Sequence, residues 1–437
     1  MPSHKELLVN KINKKKARIA VIGLGYVGLP LAVEFAKTGF SVFGIDINKE
    51  KIDMLKKGVS YVQDIPSSTL KGVIKNRFLQ VSQDYKNLTD VDIIIVSVPT
   101  PLTKTREPDI SYIIDASKKI KDNFRKGQLV ILESTTYPGT TSEILLPLFS
   151  KKGLKAGEDF FLAFSPERVD PGNKKFRTSN IPKIVGGITK NCTYLAKLTY
   201  GKIIGNVIGV SNSTVAETAK LLENTFRAVN IALINEFALM CDRLKINVWE
   251  VIEAAKTKPF GFMPFYPGPG LGGHCLPIDP LYLTWKSRMH GFEPRLIELA
   301  SQINSCMPTY VANKVIGMLN AKKKRPIKGA NILVVGVSYK KDVSDVRESP
   351  AIEIIDMLLS KQAKVSYHDP YVLSLSLERK CLRSVKLTKQ NISRNDCVII
   401  VTDHTKIDYD FLLENARLIF DTRNVYDNLS NPKIFKV

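Results

Sequence analysis

The chain is sparing with the residues that build disulfides and metal centres. Its six cysteines are scattered at positions 192, 241, 275, 306, 381 and 397, with no CxxC pair and no Cys/His spacing of a zinc site. That excludes a disulfide scaffold or a zinc module, and makes each cysteine, on composition, a small buried hydrophobe in a reducing compartment. No apolar run approaches the roughly 18 residues that cross a bilayer. The opening MPSHKELLVNKINKKKARIA is basic but lacks the apolar centre of a secretory signal, so a cytoplasmic location is expected. No short-period repeat is present, which rules out a solenoid.

Acidic residues are also scarce: 42 Asp and Glu stand against 64 Lys and Arg, a net charge of +22. Such an excess fits either a nucleic-acid partner or an anionic small-molecule substrate. The basic residues are spread out, however, and only KINKKKAR near the start and NAKKKRPIK at 320–328 are dense. Neither carries an aromatic RNA-binding signature, so no nucleic-acid partner is expected.

With 437 residues the chain should hold two or three domains. ARIAVIG, SVFGID (41–46), DIIIVSVP (92–99) and QLVILEST (128–135) read as buried strands separated by helical segments, the rhythm of a doubly wound parallel sheet. Near Ser211 the pattern changes. Thr214 and Glu217 predict a capping box ahead of a helix of about 30 residues free of Gly and Pro, apolar round much of its circumference and suited to packing on a second copy. From Asn331 the strand rhythm returns in NILVVGVSY, AKVSYHD, DCVIIVTD and ARLIFDT. The expected fold is α/β, two Rossmann-like parallel-sheet domains joined by a helical middle. The expected division is a basic extension at 1–16, a nucleotide-binding domain at 17–210, a helical dimerisation domain at 211–319 and a second Rossmann-like domain at 320–437.

Gly23-Leu-Gly25-Tyr-Val-Gly28 follows the first strand and opens the first helix, where backbone N–H groups can face a pyrophosphate. Asp46 ends the second strand, where a carboxylate can accept the ribose hydroxyls and repel a 2′-phosphate, which favours NAD. A flavin dinucleotide or a purely structural turn are the alternatives. Thr100 and Thr135 lie at carboxyl ends of strands, where open α/β sheets bind ligands, although either also fits an ordinary turn or helix cap.

The stretch GPGLGGHC sets four glycines before His274 and Cys275, without the Lys of a P-loop. Asp279-Pro280 then opens a helix whose positive end favours a thiolate. The glycines are read as leaving room for a substrate carbon to reach the sulfur. In an NAD protein such a thiolate would add to an aldehyde and allow oxidation to a thioester and then an acid. If Cys275 were only structural, a two-electron alcohol dehydrogenase would be the alternative. Lys220 and Asn224, four apart on the long helix, suit an oxyanion or a hydroxyl, or else a solvated helix face. Asp279 reads equally as a plain N-cap, and His274 as a loop residue.

GLGYVGLP, SVPTP, ESTTYPGTT, FSPERVDPGN, AKLLENTFRAVNIALINE, GPGLGGHCLPIDP and GVSYKKDVSDVRESP together resemble the UDP-glucose/GDP-mannose dehydrogenase family of UDP-sugar 6-dehydrogenases, from about Ala17 to Tyr426. KPFGFMPFYPGPGLGGHCLPIDPLYLTWK is most similar to the UDP-N-acetylglucosamine 6-dehydrogenase branch. The resemblance implies NAD-dependent four-electron oxidation of a sugar C6 alcohol in surface-polysaccharide precursor synthesis, by a homodimer or higher homo-oligomer. UDP-glucose, UDP-N-acetylgalactosamine and UDP-N-acetylmannosamine are the alternative substrates. It assigns Cys275 as nucleophile, Lys220 and Asn224 to the reacting oxygen, Asp279 to water and proton handling, and Glu167 to thioester hydrolysis. It places Gly23, Gly25, Tyr26, Val27, Gly28, Asp46, Lys51, Thr100, Thr135 and Arg347 at the cofactor. Substrate positions are Glu167, Arg168, Lys220, Asn224, Lys258, Phe265, Tyr266, Gly268, Gly270, Gly272, Tyr339, Lys340 and Arg423. No metal is implied. One departure stands out: where UDP-glucose enzymes carry an arginine ahead of the cysteine loop, this chain has Lys258-Pro-Phe-Gly-Phe-Met-Pro.

Overall fold

Runs such as IIIV, LVIL and FLAF are buried along their whole length, as strands covered by helices on both faces must be. The computed structural model describes residues 2–62, 64–169, 179–377, 380–427 and 429–437. The chain forms two compact units, one of residues 1–223 and 281–291, the other of 224–280 and 292–437. Residues 211–319 are thus shared between both.

The first unit is built on strands β1 (Arg18–Ile22), β2 (Ser41–Ile45), β3 (Leu79–Ser82), β4 (Ile93–Val96), β5 (Leu129–Leu132), β6 (Phe161–Phe164), β7 (Lys183–Gly187) and β8 (Val207–Gly209). Their order is β3-β2-β1-β4-β5-β6-β7-β8. All neighbours are parallel except β6 and β7, which pair antiparallel with Phe164 opposite Gly186. The order reverses between β2-β1 and β4, so ligands are expected at the carboxyl ends of β1 and β4. The segment read as a basic extension holds a helix, His4–Asn13, closed by a capping box between Ser3 and Glu6. Its Leu8 and Ile12 enter the core, and Lys11 pairs with Asp92 at 2.7 Å.

The second unit carries β9 (Asn331–Val335), β10 (Lys364–His368), β11 (Ser374–Ser376), β12 (Cys381–Arg383), β13 (Cys397–Ile400), β14 (Ile419–Asp421) and β15 (Ile434–Lys436). Five of these form an all-parallel sheet in the order β10-β9-β13-β14-β15, and β11 and β12 make a small hairpin. The expected strands of this region are all present; β11, β12 and β15 are additional.

The long helix runs from Ser213 to Leu244, 32 residues. The expected capping box does not form. Asn212 accepts the N–H of Val215 at 2.9 Å instead, and Glu217 is used elsewhere. A second long helix, Arg295–Lys323, continues through Pro308. Proline within it hid that helix from a periodicity reading. Among the described residues, no helix is long and apolar enough to cross a membrane.

Candidate active site

In the first unit, β1 delivers the chain into the Gly23–Gly28 turn. Gly23 has φ +89°, and a Cβ there would meet the carbonyl oxygen of Ser97 at 2.2 Å. A Cβ on Gly28 would sit 1.8 Å from the carbonyl oxygen of Gly23. A Cβ on Gly25 would meet nothing within 4 Å, so this glycine faces open space, as a loop that admits a pyrophosphate should. Asp46 is buried at the end of β2 and accepts the N–H groups of Leu24 (2.9 Å) and Asn48 (2.9 Å). Lys51 stands 3.9 Å from its carboxylate. The turn, the open glycine and the carboxylate fit a dinucleotide. Tyr26 is exposed, Val27 and Thr135 are half-buried, and Thr100 is buried with its carbonyl accepting the Tyr282 hydroxyl at 3.0 Å.

Beyond β5 and β6 the unit holds a polar cluster that the sequence reading missed, apart from Glu167. Glu133, Lys183 and Tyr200 are buried. Lys183 pairs with Glu133 and, at 3.2 Å, with Glu167, while the Tyr200 hydroxyl donates to Glu133 at 2.8 Å. Burial pushes the Glu133 carboxyl up to about 7 against the pull of Lys183. Burial also opposes charge on Glu167, but Lys183 and the Val169 N–H hold it below the ordinary carboxylate value. Arg168 pairs with Glu223 at 2.7 Å and donates to the Pro182 carbonyl at 2.6 Å. The end of FSPERVDPGN, residues 170–173, lies outside the described residues. Glu217, also missed, accepts the N–H groups of Gly139 (2.6 Å) and Thr141 (2.9 Å) and the Thr141 hydroxyl (2.6 Å), pinning the loop after β5. Burial pushes its carboxyl up to about 7.

Lys220 and Asn224 follow one turn apart on the helix Ser213–Leu244, and both are buried, which removes the solvated-face reading. Among the described residues Lys220 has no hydrogen-bonding or ionic partner. A buried cation without a counter-ion is costly, and an anionic guest offsets that cost. Asn224 donates one amide N–H to Asp279 at 2.5 Å. Asp279 is buried, so it is more than a solvent-facing cap. It begins the helix Asp279–Met289, and its N–H and that of Ile278 bond the Cys275 carbonyl at 2.9 and 3.1 Å. The half-exposed Cys275 therefore sits in the turn that leads into this helix. Burial, with the charge of Arg347, lowers the His274 pKa and keeps that ring neutral at physiological pH.

The glycine loop corrects one expectation. At Gly268, Gly270, Gly272 and Gly273 the space a Cβ would need is taken by neighbouring side chains or backbone. A Cβ on Gly268 would stand 2.8 Å from Arg423 Nη1, and one on Gly270 (φ +130°) 3.3 Å from Pro308 and Pro350. On Gly272 it would lie 2.7 Å from Tyr339 Cβ, and on Gly273 (φ +84°) 2.7 Å from the Tyr339 ring. The loop is a packed platform: the Gly268 N–H donates to the buried Asn235 amide oxygen (3.0 Å), and the Asn235 Nδ2–H donates to the Asn304 amide oxygen (2.9 Å). Phe265 meets Phe226 edge-on at 5.9 Å. Tyr266 stacks on Trp249 and donates to Glu253 at 2.8 Å. Both rings act as anchors of the loop. Lys258 is exposed, lying over Phe260. Arg347 is also exposed and is held by Asp345.

Around the sheet of the second unit, Arg423 donates its Nε–H to the Val401 carbonyl at 2.8 Å. Among the described residues its guanidinium forms no salt bridge, which leaves the outer nitrogens for an anion. Lys340 is half-buried beside Tyr339. At the end of β10, Asp369 stands where Asp46 stands in the first unit, and it too receives backbone N–H groups of the loop after the first strand (Val337 2.8 Å, Ser338 3.1 Å). It also takes Tyr371 N–H, Val372 N–H and His404 Nε2. Asp369 is fully buried and its lone pairs are used, so the second unit has the nucleotide-fold topology without a carboxylate for a ribose. Among the described residues no cluster could hold a metal ion.

Three domains of the UDP-glucose/GDP-mannose dehydrogenase family match in sequence: the NAD binding domain over residues 17–204, the central domain over 214–306 and the UDP binding domain over 333–428. The chain is 39% identical over 360 residues to a UDP-N-acetyl-D-glucosamine 6-dehydrogenase of Pseudomonas aeruginosa, covering 82% of this chain and 84% of the relative. It is 36% identical over 424 residues to a UDP-N-acetyl-D-mannosamine dehydrogenase of Methanococcus maripaludis, covering 94% and 93%. Among solved structures, a UDP-D-ManNAc dehydrogenase of Pyrococcus horikoshii superposes with a TM-score of 0.88 at 34% identity, covering 96% of this chain and 99% of that one.

Proposed function

Because the chain belongs to the UDP-glucose/GDP-mannose dehydrogenase family, we propose that it oxidises the C6 alcohol of UDP-N-acetylmannosamine to the carboxylate. At the coarser level it is an NAD-dependent UDP-sugar dehydrogenase. The gluco sugar expected from sequence is the alternative substrate. The support is the higher coverage of the Methanococcus and Pyrococcus enzymes, 94% and 96% of this chain, against 82% for the Pseudomonas one. The absence of an arginine around Lys258 agrees with an acetamido sugar rather than glucose.

The buried Lys220, without an ionic partner among the described residues, stands one turn before an Asn224 already oriented by Asp279, on a chain whose Cys275 lies in a helix-leading turn, and this supports the reading most directly. The Gly23–Gly28 turn and Asp46 would hold NAD, which would supply the hydride acceptor, two equivalents per sugar. Lys220 offsets negative charge on the reacting oxygen. Among the described residues Asn224 spends one N–H on Asp279, which leaves its second N–H and its carbonyl oxygen for the substrate. Once the alcohol is an aldehyde, the Cys275 sulfur adds to its carbon, and oxidation of that adduct leaves a thioester. Water opens the thioester with Glu167 as base, releasing the thiolate and the acid. Arg423 and Lys340 carry the charge that suits a diphosphate.

The apolar residues Phe226, Leu233, Phe237, Met240 and Leu244 are exposed at helical spacing on the long helix. They support assembly with a second copy. The test of substrate is a panel of UDP-N-acetylmannosamine, UDP-N-acetylglucosamine, UDP-N-acetylgalactosamine and UDP-glucose, scored by kcat/KM and NADH yield. The manno sugar should lead with two NADH per sugar. Preference for any of the other three sugars, or one NADH per sugar, would overturn the proposal.

A further inference from the structure

β7 runs against its neighbour β6, and this has a chemical effect. A parallel strand would start at the far edge of the sheet; the reversed β7 starts at the edge where β5 and β6 end. Continuing the Phe164–Gly186 register outward brings Lys183 opposite Glu167. The stitching is repeated residue by residue. The Ser165 hydroxyl donates to the Ile184 carbonyl at 2.9 Å, Lys183 bonds Glu167, and Arg168 bonds the Pro182 carbonyl. Glu167 is fixed at both oxygens, since Oε1 accepts the N–H groups of Arg168 (2.8 Å) and Val169 (2.5 Å) while Oε2 faces Lys183 (3.2 Å). Lys183 is held from behind by Glu133, which Tyr200 holds in turn.

We propose that Lys183 is a positioning residue for thioester hydrolysis, presenting Glu167 as an ionised and immobile carboxylate, with Glu133 and Tyr200 fixing Lys183 in place. This rests on the reading of Glu167 given above. In the step served, the water oxygen forms the new bond to the thioester carbon and the C–S bond breaks. Sulfur leaves as the Cys275 thiolate, and Glu167 takes one water proton, later lost to solvent. Both oxidations precede this step, so impaired positioning stalls the enzyme after two NADH have formed.

The experiment is rapid mixing of wild type, Glu167→Gln, Lys183→Met, Lys183→Arg and Lys183→Met/Glu167→Gln with NAD and UDP-N-acetylmannosamine, followed by intact-mass analysis. Lys183→Met should release about two NADH per active site in a first burst, then turn over roughly tenfold or more slower than wild type, with a sugar adduct accumulating on the enzyme. Lys183→Arg should restore much of the steady rate, and the double variant should be no slower than Glu167→Gln. A purely structural lysine would lower burst and steady rate together and leave their ratio unchanged. That result, alongside a normal burst from Glu167→Gln, would overturn the proposal while sparing the role of Glu167. If Glu167→Gln gives neither burst nor adduct, the role of Glu167 fails and this inference with it. Should Lys183→Met not fold, Tyr200→Phe keeps the ring and removes one anchor of Glu133. A partial build-up of the same adduct is then expected, and none would refute the proposal.

Discussion

Replacing Gly273 with alanine separates two reasons for a glycine at that place. Its φ of +84° costs an L-residue about 1–2 kcal/mol. The new Cβ would lie 2.7 Å from Tyr339 Cε2, and overpacking a tight contact costs about 1–3 kcal/mol. Gly273→Ala should therefore destabilise the second unit by roughly 2–5 kcal/mol. Gly25→Ala is the contrast: with ordinary φ and nothing within 4 Å of its Cβ, it should leave stability unchanged and weaken NAD binding. The assay is denaturant unfolding followed by tryptophan fluorescence in a Trp285→Phe background, where only Trp249 of the second unit remains of the two tryptophans. Adding Tyr339→Ala to Gly273→Ala should recover the steric part and leave the backbone part. If Gly273→Ala unfolds at the wild-type midpoint but loses turnover, the glycine clears space for substrate and the packing argument is wrong.

Lys220→Met should lower kcat by about 10²–10³-fold while leaving stability equal or raised, because a buried charge without a counter-ion disappears; a fall in stability would contradict this. Glu217, with its folded pKa near 7 against an ordinary 4.5, binds a proton in the folded state that the unfolded chain releases. Its contribution to stability is present below about pH 4.5 and lost as pH rises through about 7, so Glu217→Gln should flatten the change in melting temperature between pH 5 and 8. Phe237→Glu, on the exposed apolar stripe, should shift sedimentation toward the monomer; an unchanged profile would remove that helix from the assembly interface.

Much of this was legible before the structure, where the signal was local. The GLGYVG turn, Asp46 at a strand end and the four strands from Asn331 onward are each written within a few residues. Ser3 and Glu6 also spell a capping box, so the N-terminal helix could have been read from S-x-x-E. Other features depend on partners far along the chain. Lys183 meets Glu133 fifty residues away only because one strand of a parallel sheet runs backward, and nothing in KIVGG announces that reversal. Glu217 is shaped like a capping residue and serves as one for another segment, the loop at Gly139. Glycines packed against Tyr339 and Arg423 have the same sequence signature as glycines that admit a ligand. Only their neighbours distinguish the two.

In the proposed reaction, sulfur carries the sugar from the aldehyde to release of the acid. The most direct measurement is peptide mass mapping of Glu167→Gln enzyme quenched after one turnover with NAD and UDP-N-acetylmannosamine. A uronyl thioester on the peptide bearing Cys275 and two NADH per active site are the expected result. An unmodified Cys275 peptide together with free aldehyde product would contradict it.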